Sequence, residues 1–131
     1  MRNFDPIPET VDRIAGEIVD AAFAVHTALG PGLLESVYET CLCQELAQRA
    51  IKYRTQVTLP IEYKGVRLES GLRLDLVVAD SVIAELKAVE KMLPVFEAQL
   101  LTYLRLARLR LGLLINFNTP LLKTGIRRIV L

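Results

Sequence analysis

The stretch RLDLVVADSVIAELK, Arg73 to Lys87, constrains the fold of this chain more than any other segment. Two runs of Leu, Val, Ile and Ala flank a short Ala79-Asp80-Ser81 break, the pattern of two strands joined by a tight turn. Pairing across that break sets Asp75 opposite Glu85, Arg73 opposite Lys87 and Val77 opposite Ile83. Side chains alternate along a strand, so all six are expected on one face. The other face, Leu72, Leu74, Leu76 and Val78 against Val82, Ala84 and Leu86, is wholly apolar and should lie under helices. Charges are thus segregated on one side of a hairpin that otherwise reads as core.

Facing residues have Cβ atoms about 5 Å apart, where like charges are destabilising. Two carboxylates at that distance repel by roughly 3 kcal/mol at an effective dielectric of about 20. Two accounts of the offset are open. Arg73 and Lys87 can neutralise Asp75 and Glu85 in a four-charge network. Alternatively a divalent cation lies between the carboxylates with Lys87 free beside it. Magnesium needs only one or two carboxylates, the rest of its shell being water and substrate phosphate oxygens.

The remaining pattern places this hairpin in an α/β chain. Val11, Ile14, Ile18, Ala22, Val25 and Leu29 recur at helical spacing from Glu9 to Leu29. Gly30-Pro31-Gly32 stops that helix. A second helix is expected from about Leu33 to Ala50, with Leu34, Val37, Cys41 and Leu46 inward. The segment TQVTLPIEYKGVRLESGLRLDLVV, punctuated at Lys64-Gly65 and Gly71, reads as a three-strand meander. Val82 to Ala88 makes a further strand. Pro94 suits the first turn of a third helix, running to about Arg108 and apolar on most sides. GLLINF, Gly112 to Phe117, reads as a central strand and IRRIVL as an edge strand.

At 131 residues the chain is expected to form one domain, with residues 1–8 as an N-terminal tail. The 52% apolar and 24% charged composition is that of a globular protein. No apolar run approaches the roughly 18 residues that span a bilayer. MRNFDPIPETVDR has no apolar signal core, so a cytoplasmic location is expected. Cys41 and Cys43, two apart on a helix, point to different faces and are read as inert thiols. The net charge of +1 does not mark a nucleic-acid binder. Residues 1–65 hold 6 Lys/Arg and 9 Asp/Glu, residues 66–131 hold 10 and 6. Arg105, Arg108 and Arg110, or Lys123, Arg127 and Arg128, offer a phosphate-facing side, or ordinary surface charge.

The spacing of Asp75 and then Glu85-Leu86-Lys87 on the next strand resembles the D…(D/E)xK signature of the PD-(D/E)XK nuclease superfamily. GLLESVY, Gly32 to Tyr38, resembles the motif that names the GxxExxY protein family, a branch of that superfamily. AQLLTYL, with Gln99 and Tyr103, and GLLINFN are similar to that family in order and spacing, and the likeness runs from about Ile14 to Val130. The resemblance implies a central mixed β-sheet flanked by helices, with a restriction-endonuclease-like core. It implies metal-dependent phosphodiester hydrolysis on DNA or RNA, with Mg²⁺ or Mn²⁺ as cofactor. Asp75 and Glu85 would be metal ligands, with Glu35 an additional acid at the site and a possible third ligand, and Lys87 would assist the attacking water. Gln99 and Tyr103, four apart on one helical face, would line the site. Leu74 stands where the superfamily name has Pro, and Phe96 where close relatives have His.

Residues outside the hairpin admit plainer readings. His26, near a helix end, suits capping or packing. Tyr38 could hydrogen-bond Glu35 or belong to the core. Arg73 is a phosphate contact or an ion-pair partner of a neighbouring carboxylate. The apolar third helix is a monomer core element or a homo-oligomer face. The competing functional readings are a non-catalytic nucleic-acid-binding module on the nuclease fold and a homo-oligomeric assembly module.

Overall fold

The structure, a computed structural model, describes residues 5–131, the side chain of Ser70 aside. The expected tail over residues 1–8 therefore lies partly outside the described residues. Helix α1 spans Glu9–Leu29 and α2 Glu35–Gln48. Strands β1, Tyr53–Tyr63, and β2, Val66–Val78, form a long hairpin, and β3 follows at Val82–Lys87. Helix α3, Pro94–Ala107, then leads to β4 at Leu111–Asn116 and, after a 3-10 turn, to β5 at Ile126–Val130.

The five strands form one sheet in the order β1-β2-β3-β4-β5. All neighbours are antiparallel except β3 and β4, which run parallel around the α3 crossover. The fold is thus α/β, a mixed sheet flanked by three helices. No described helix is long and apolar enough to cross a membrane.

Two apolar layers cover the sheet. Leu76, Val78, Val82, Ala84, Leu86, Leu111, Leu113 and Ile115 pack with Ile18, Ala22 and Val25 of α1 and Tyr38, Leu42 and Leu46 of α2. Val77, Ile83 and Leu114 pack against Leu100 and Leu104 of α3, and Leu74 joins this second layer. All six residues of β4 are buried, as a strand covered on both faces requires.

Three expectations need correction. The stretch from Thr55 to Val78 is one hairpin, not three strands. Gly71 lies inside β2 because its missing side chain lets the Leu59 carbonyl approach, to 2.1 Å from where a Cβ would stand. The inward face of α2 is Tyr38, Leu42 and Leu46, whereas Leu34 is 74% exposed and Val37 also faces solvent. Helix α2 starts only at Glu35, so Leu34 precedes the helical register. Finally, α3 buries a stripe rather than most of its surface, leaving Val95 and Leu106 exposed.

Tyr38 explains how the α1–α2 bend is held. Gly30 and Gly32 take positive φ values of 71° and 96°, which glycine adopts without a Cβ clash. The buried Tyr38 hydroxyl donates to the Gly30 carbonyl at 2.6 Å and accepts the Leu33 N–H at 3.1 Å. Its ring stacks on Phe117, centroids 4.5 Å apart. Tyr38 is therefore a core fastening of the bend rather than a partner of Glu35. His26 adds to the packing, its Nε2 lying 2.8 Å from the Thr119 carbonyl.

Tyr38→Phe keeps the ring stack and orphans both backbone groups. It is expected to cost about 1–3 kcal/mol. Tyr63→Phe, on a residue 60% exposed, should change stability by no more than about 0.5 kcal/mol. Urea unfolding of the two variants beside wild type checks the difference.

Candidate functional site

The expected facing of residues across the β2–β3 turn holds for Leu76–Ala84, Val77–Ile83 and Val78–Val82, and the ladder then stops. Asp75 and Glu85 follow immediately, and their side chains take over from the backbone. The Asp75 N–H donates to Glu85 Oε2 at 2.7 Å, and the Leu86 N–H donates to Asp75 Oδ2 at 2.8 Å. Each strand thus offers a carboxylate to the other's free donor. Arg73 and Lys87 are not paired across the hairpin as the sequence suggested. The regular ladder has ended before them, and Arg73 is exposed.

Side-chain alternation also fails at this point. Leu74 and Leu76 are two apart but pack in opposite layers. Pairing with β1 skips here too: Thr55 pairs with Leu76 and Val57 with Leu74, while Gln56 and Asp75 do not pair. The single-face arrangement expected for Asp75, Glu85 and Lys87 is therefore opened out. Asp75 lines a cavity of about 270 Å³ with Glu35, Ser36, Glu39, Gln56 and Leu86 on the α2 side. Glu85 lies within electrostatic reach of Tyr103 on α3, and the Lys87 Nζ sits 4.4 Å from the Phe96 ring centroid.

The electrostatics follow from burial without neutralisation. Glu85 is 8% exposed, and its pKa rises to about 8, first through desolvation and then through the Asp75 charge. The Asp75 pKa is also raised, chiefly by desolvation and further by Glu39, against the Leu86 N–H, Lys87 and Gln56, which favour its ionised form. Glu35, first residue of α2, is raised by partial desolvation and by Asp75. Tyr103 is raised by desolvation and by the charges of Glu85 and Asp75. Among the described residues, no Lys or Arg makes an ion pair with Asp75, Glu85 or Glu35. The neutral four-charge network is therefore not formed.

Asp75, Glu85, Glu35 and Lys87 come into one neighbourhood, with Tyr103 at its α3 side. Tyr38 is in the core and its hydroxyl is taken by the bend, so it does not meet the carboxylates. Gln99 is exposed on α3, on the face it shares with Phe96 and Tyr103. Gln56 and Glu39 join the site without having been read from the sequence. A glutamine in TQVTL looks like an outward strand position, and only Glu39's spacing of four from Glu35 hinted at a shared face. Asn116 was also missed. Its side chain accepts the Val89 N–H and donates to the Val89 carbonyl, while the Phe117 N–H donates to the Lys87 carbonyl, fixing the chain around Lys87.

Three other features lie outside this neighbourhood. A larger cavity, about 560 Å³, lies between the end of α2 and the β2–β3 turn, where Arg54 and Asp80 pair at 3.0 Å. The basic C-terminal residues are partly used locally, Arg127 pairing with Glu97 and Arg128 with Asp12. The Cys43 thiol is pushed up to about 11 by burial, in keeping with an inert role.

This fold and site define a nuclease-type α/β domain with a D…ExK arrangement on its central hairpin. A family model described as the PD-(D/E)XK nuclease superfamily matches residues 12–129, and the chain belongs to that superfamily. No curated protein and no solved structure gives a significant match.

The raised Glu85 pKa sets a direction for stability against pH. A carboxyl whose pKa is higher folded than unfolded binds more protons in the native state, so stability falls as pH rises between the two values. The window runs from the ordinary 4.5 to about 8, and Asp75 and Glu35 contribute with the same sign. Melting temperature in metal-free buffer should decline through that window. Glu85→Gln should remove much of the decline, and an equal slope in that variant would contradict the assignment.

Proposed function

We propose that the chain is a metal-dependent phosphodiesterase of nuclease type acting on DNA or RNA. The observation that carries this reading is the meeting of Asp75 and Glu85 where the β2–β3 ladder ends. Each has one oxygen held by an opposing backbone N–H, and no cationic side chain lies within ion-pair distance among the described residues.

The donor set fits a hard divalent cation, Mg²⁺ or Mn²⁺. Both groups are carboxylates held by backbone, and the adjoining cavity has room for water. Among the described residues no three carboxylate, imidazole or thiol groups form a ready-made cage, so the remaining positions fall to water and substrate oxygens. A cation bound there would supply polarisation of the phosphodiester and acidification of water.

Asp75 and Glu85 would hold the cation, with Glu35 available as a further ligand. Lys87, steadied over Phe96, orients the attacking water or stabilises charge developing on the phosphate. Tyr103 contributes a hydroxyl that stays protonated, because its pKa is raised further. Arg73 and Gln99 are both exposed and supply side chains for contact with the substrate backbone.

The finer family placement is the GxxExxY branch, supported by Gly32 in the bend, Glu35 opening α2 and Tyr38 fastening the bend. A second reading is an assembly or nucleic-acid-binding module. The long β1–β2 hairpin favours it, since it extends beyond β3 and exposes Tyr63, Val66 and Leu68.

Calorimetric titration with Mn²⁺ is the first test, with binding expected for wild type and lost in Asp75→Asn. Cleavage of single- and double-stranded DNA and of RNA follows. Lys87→Ala should lower the rate by roughly 100-fold or more. Its stability should change by only about 1 kcal/mol, the scale of a partly exposed cation–π contact. Absence of both metal binding at millimolar concentration and cleavage by wild type would remove the nuclease reading in favour of the second.

A further inference from the structure

The irregularity in β1 has a chemical counterpart across the sheet. Gln56 is the β1 residue that faces Asp75, yet the two do not pair although their neighbours on both sides do. Its φ is +50°, a left-handed conformation that disfavours any side chain beyond glycine. Its Nε2 donates to Glu39 Oε1 at 2.8 Å, and the side chain lines the same cavity as the Asp75 carboxylate, whose ionised form it favours. A carboxamide nitrogen has two protons to give, and Glu39 takes one of them. A glutamine merely occupying an exposed strand position needs neither the interrupted ladder nor the left-handed backbone.

We infer that Gln56 is a positioning residue that fixes the Asp75 carboxylate, with Glu39 anchoring the same amide from α2. Asp75 then has a polar neighbour from each flanking strand, the Leu86 N–H of β3 donating to Oδ2 and the Gln56 amide of β1 in the shared cavity. Glu39 acts through Gln56. It keeps the amide turned toward the cavity and is not itself a ligand. The consequence for metal affinity rests on the reading of Asp75 as a cation ligand; the positioning of Asp75 does not.

Two readouts separate these. One is Mn²⁺ affinity by calorimetry, and the other is the ¹³C carboxyl resonance of Asp75 in the metal-free protein at alkaline pH. Gln56→Gly removes the amide while suiting the left-handed backbone, so melting temperature should be kept or raised. The expected result is a shifted Asp75 resonance and Mn²⁺ binding weakened roughly 10- to 100-fold, the range for residues that orient metal ligands. Glu39→Ala should act in the same direction, and Glu39→Gln far less, because an amide oxygen still accepts from Gln56 Nε2. Combining Glu39→Ala with Gln56→Gly should add little further. Thr58→Ala, an exposed change on the same strand, should leave both readouts in place.

An unmoved resonance and unchanged affinity in Gln56→Gly would overturn the inference. Equal losses in Glu39→Gln and Glu39→Ala would overturn the role given to Glu39, showing that its charge acts directly. If wild type bound no Mn²⁺, the cation reading would fall alone, and the resonance would still decide the role of Gln56.

Discussion

The site depends on the exchange of backbone donors for carboxylates where β2 and β3 part. A buried N–H left without an acceptor costs about 1–3 kcal/mol. Asp75 and Leu86 would each present one if the ladder simply stopped. Glu85 and Asp75 satisfy them instead, each across to the opposite strand. The two acids are therefore part of the sheet's hydrogen bonding as well as its charge. This answers why a core hairpin carries them, and it leaves one oxygen of each outside the exchange. A cation bound there would meet carboxylates whose orientation the backbone has already set, the form of support that functional groups need.

Charge supply sharpens the point, because the chain pairs its acids readily elsewhere. Arg49 alone reaches Glu17, Asp20 and Glu45, and Arg128 and Arg127 take Asp12 and Glu97. Around Asp75 the nearest cation is Lys87, which engages the Phe96 ring, while Glu35 and Glu39 add negative charge. A structural network would be expected to balance. This one is left acidic and partly desolvated, and the raised pKa values of Glu85, Asp75 and Glu35 all follow from that imbalance.

Much of this was legible because period-two patterning survives in the sequence. Counting across Ala79-Asp80-Ser81 was enough to set Asp75 against Glu85, and the largely apolar GLLINF was enough to place β4 inside the sheet. Glu35 came only from resemblance, since one helical carboxylate carries no spacing signal of its own. What stayed hidden was backbone irregularity. Alternation predicts Leu74 and Leu76 on one face, and nothing in RLDLVV announces the switch of layers between them. Gln56 in a left-handed conformation is equally silent, because glutamine is not a residue that marks positive φ. Gly71 misled in the opposite direction, reading as a turn when it marks a close approach of backbones. On α2 apolarity alone points to Leu34 and Val37 as inward, whereas Tyr38 is buried because the bend supplies both partners of its hydroxyl.

Three independent supports converge on Asp75. The first is the donor exchange with β3. The second is the Gly-Pro-Gly bend, which Tyr38 fastens to Gly30 and Leu33, so that Glu35 opens α2 at a fixed place over the sheet. The third is the break in β1, where Gln56 reaches Glu39 of α2 and spans the gap between helix and strand. Without that span, α2 and the hairpin would meet at the cavity only through the repulsion of Glu35 and Glu39 against Asp75. The amide gives Glu39 a donor from the strand and sets a neutral group beside Asp75 in the cavity. The strained backbone of Gln56 thus belongs to the site's construction, in the way that conformational strain gathers where geometry must be held against its local preference.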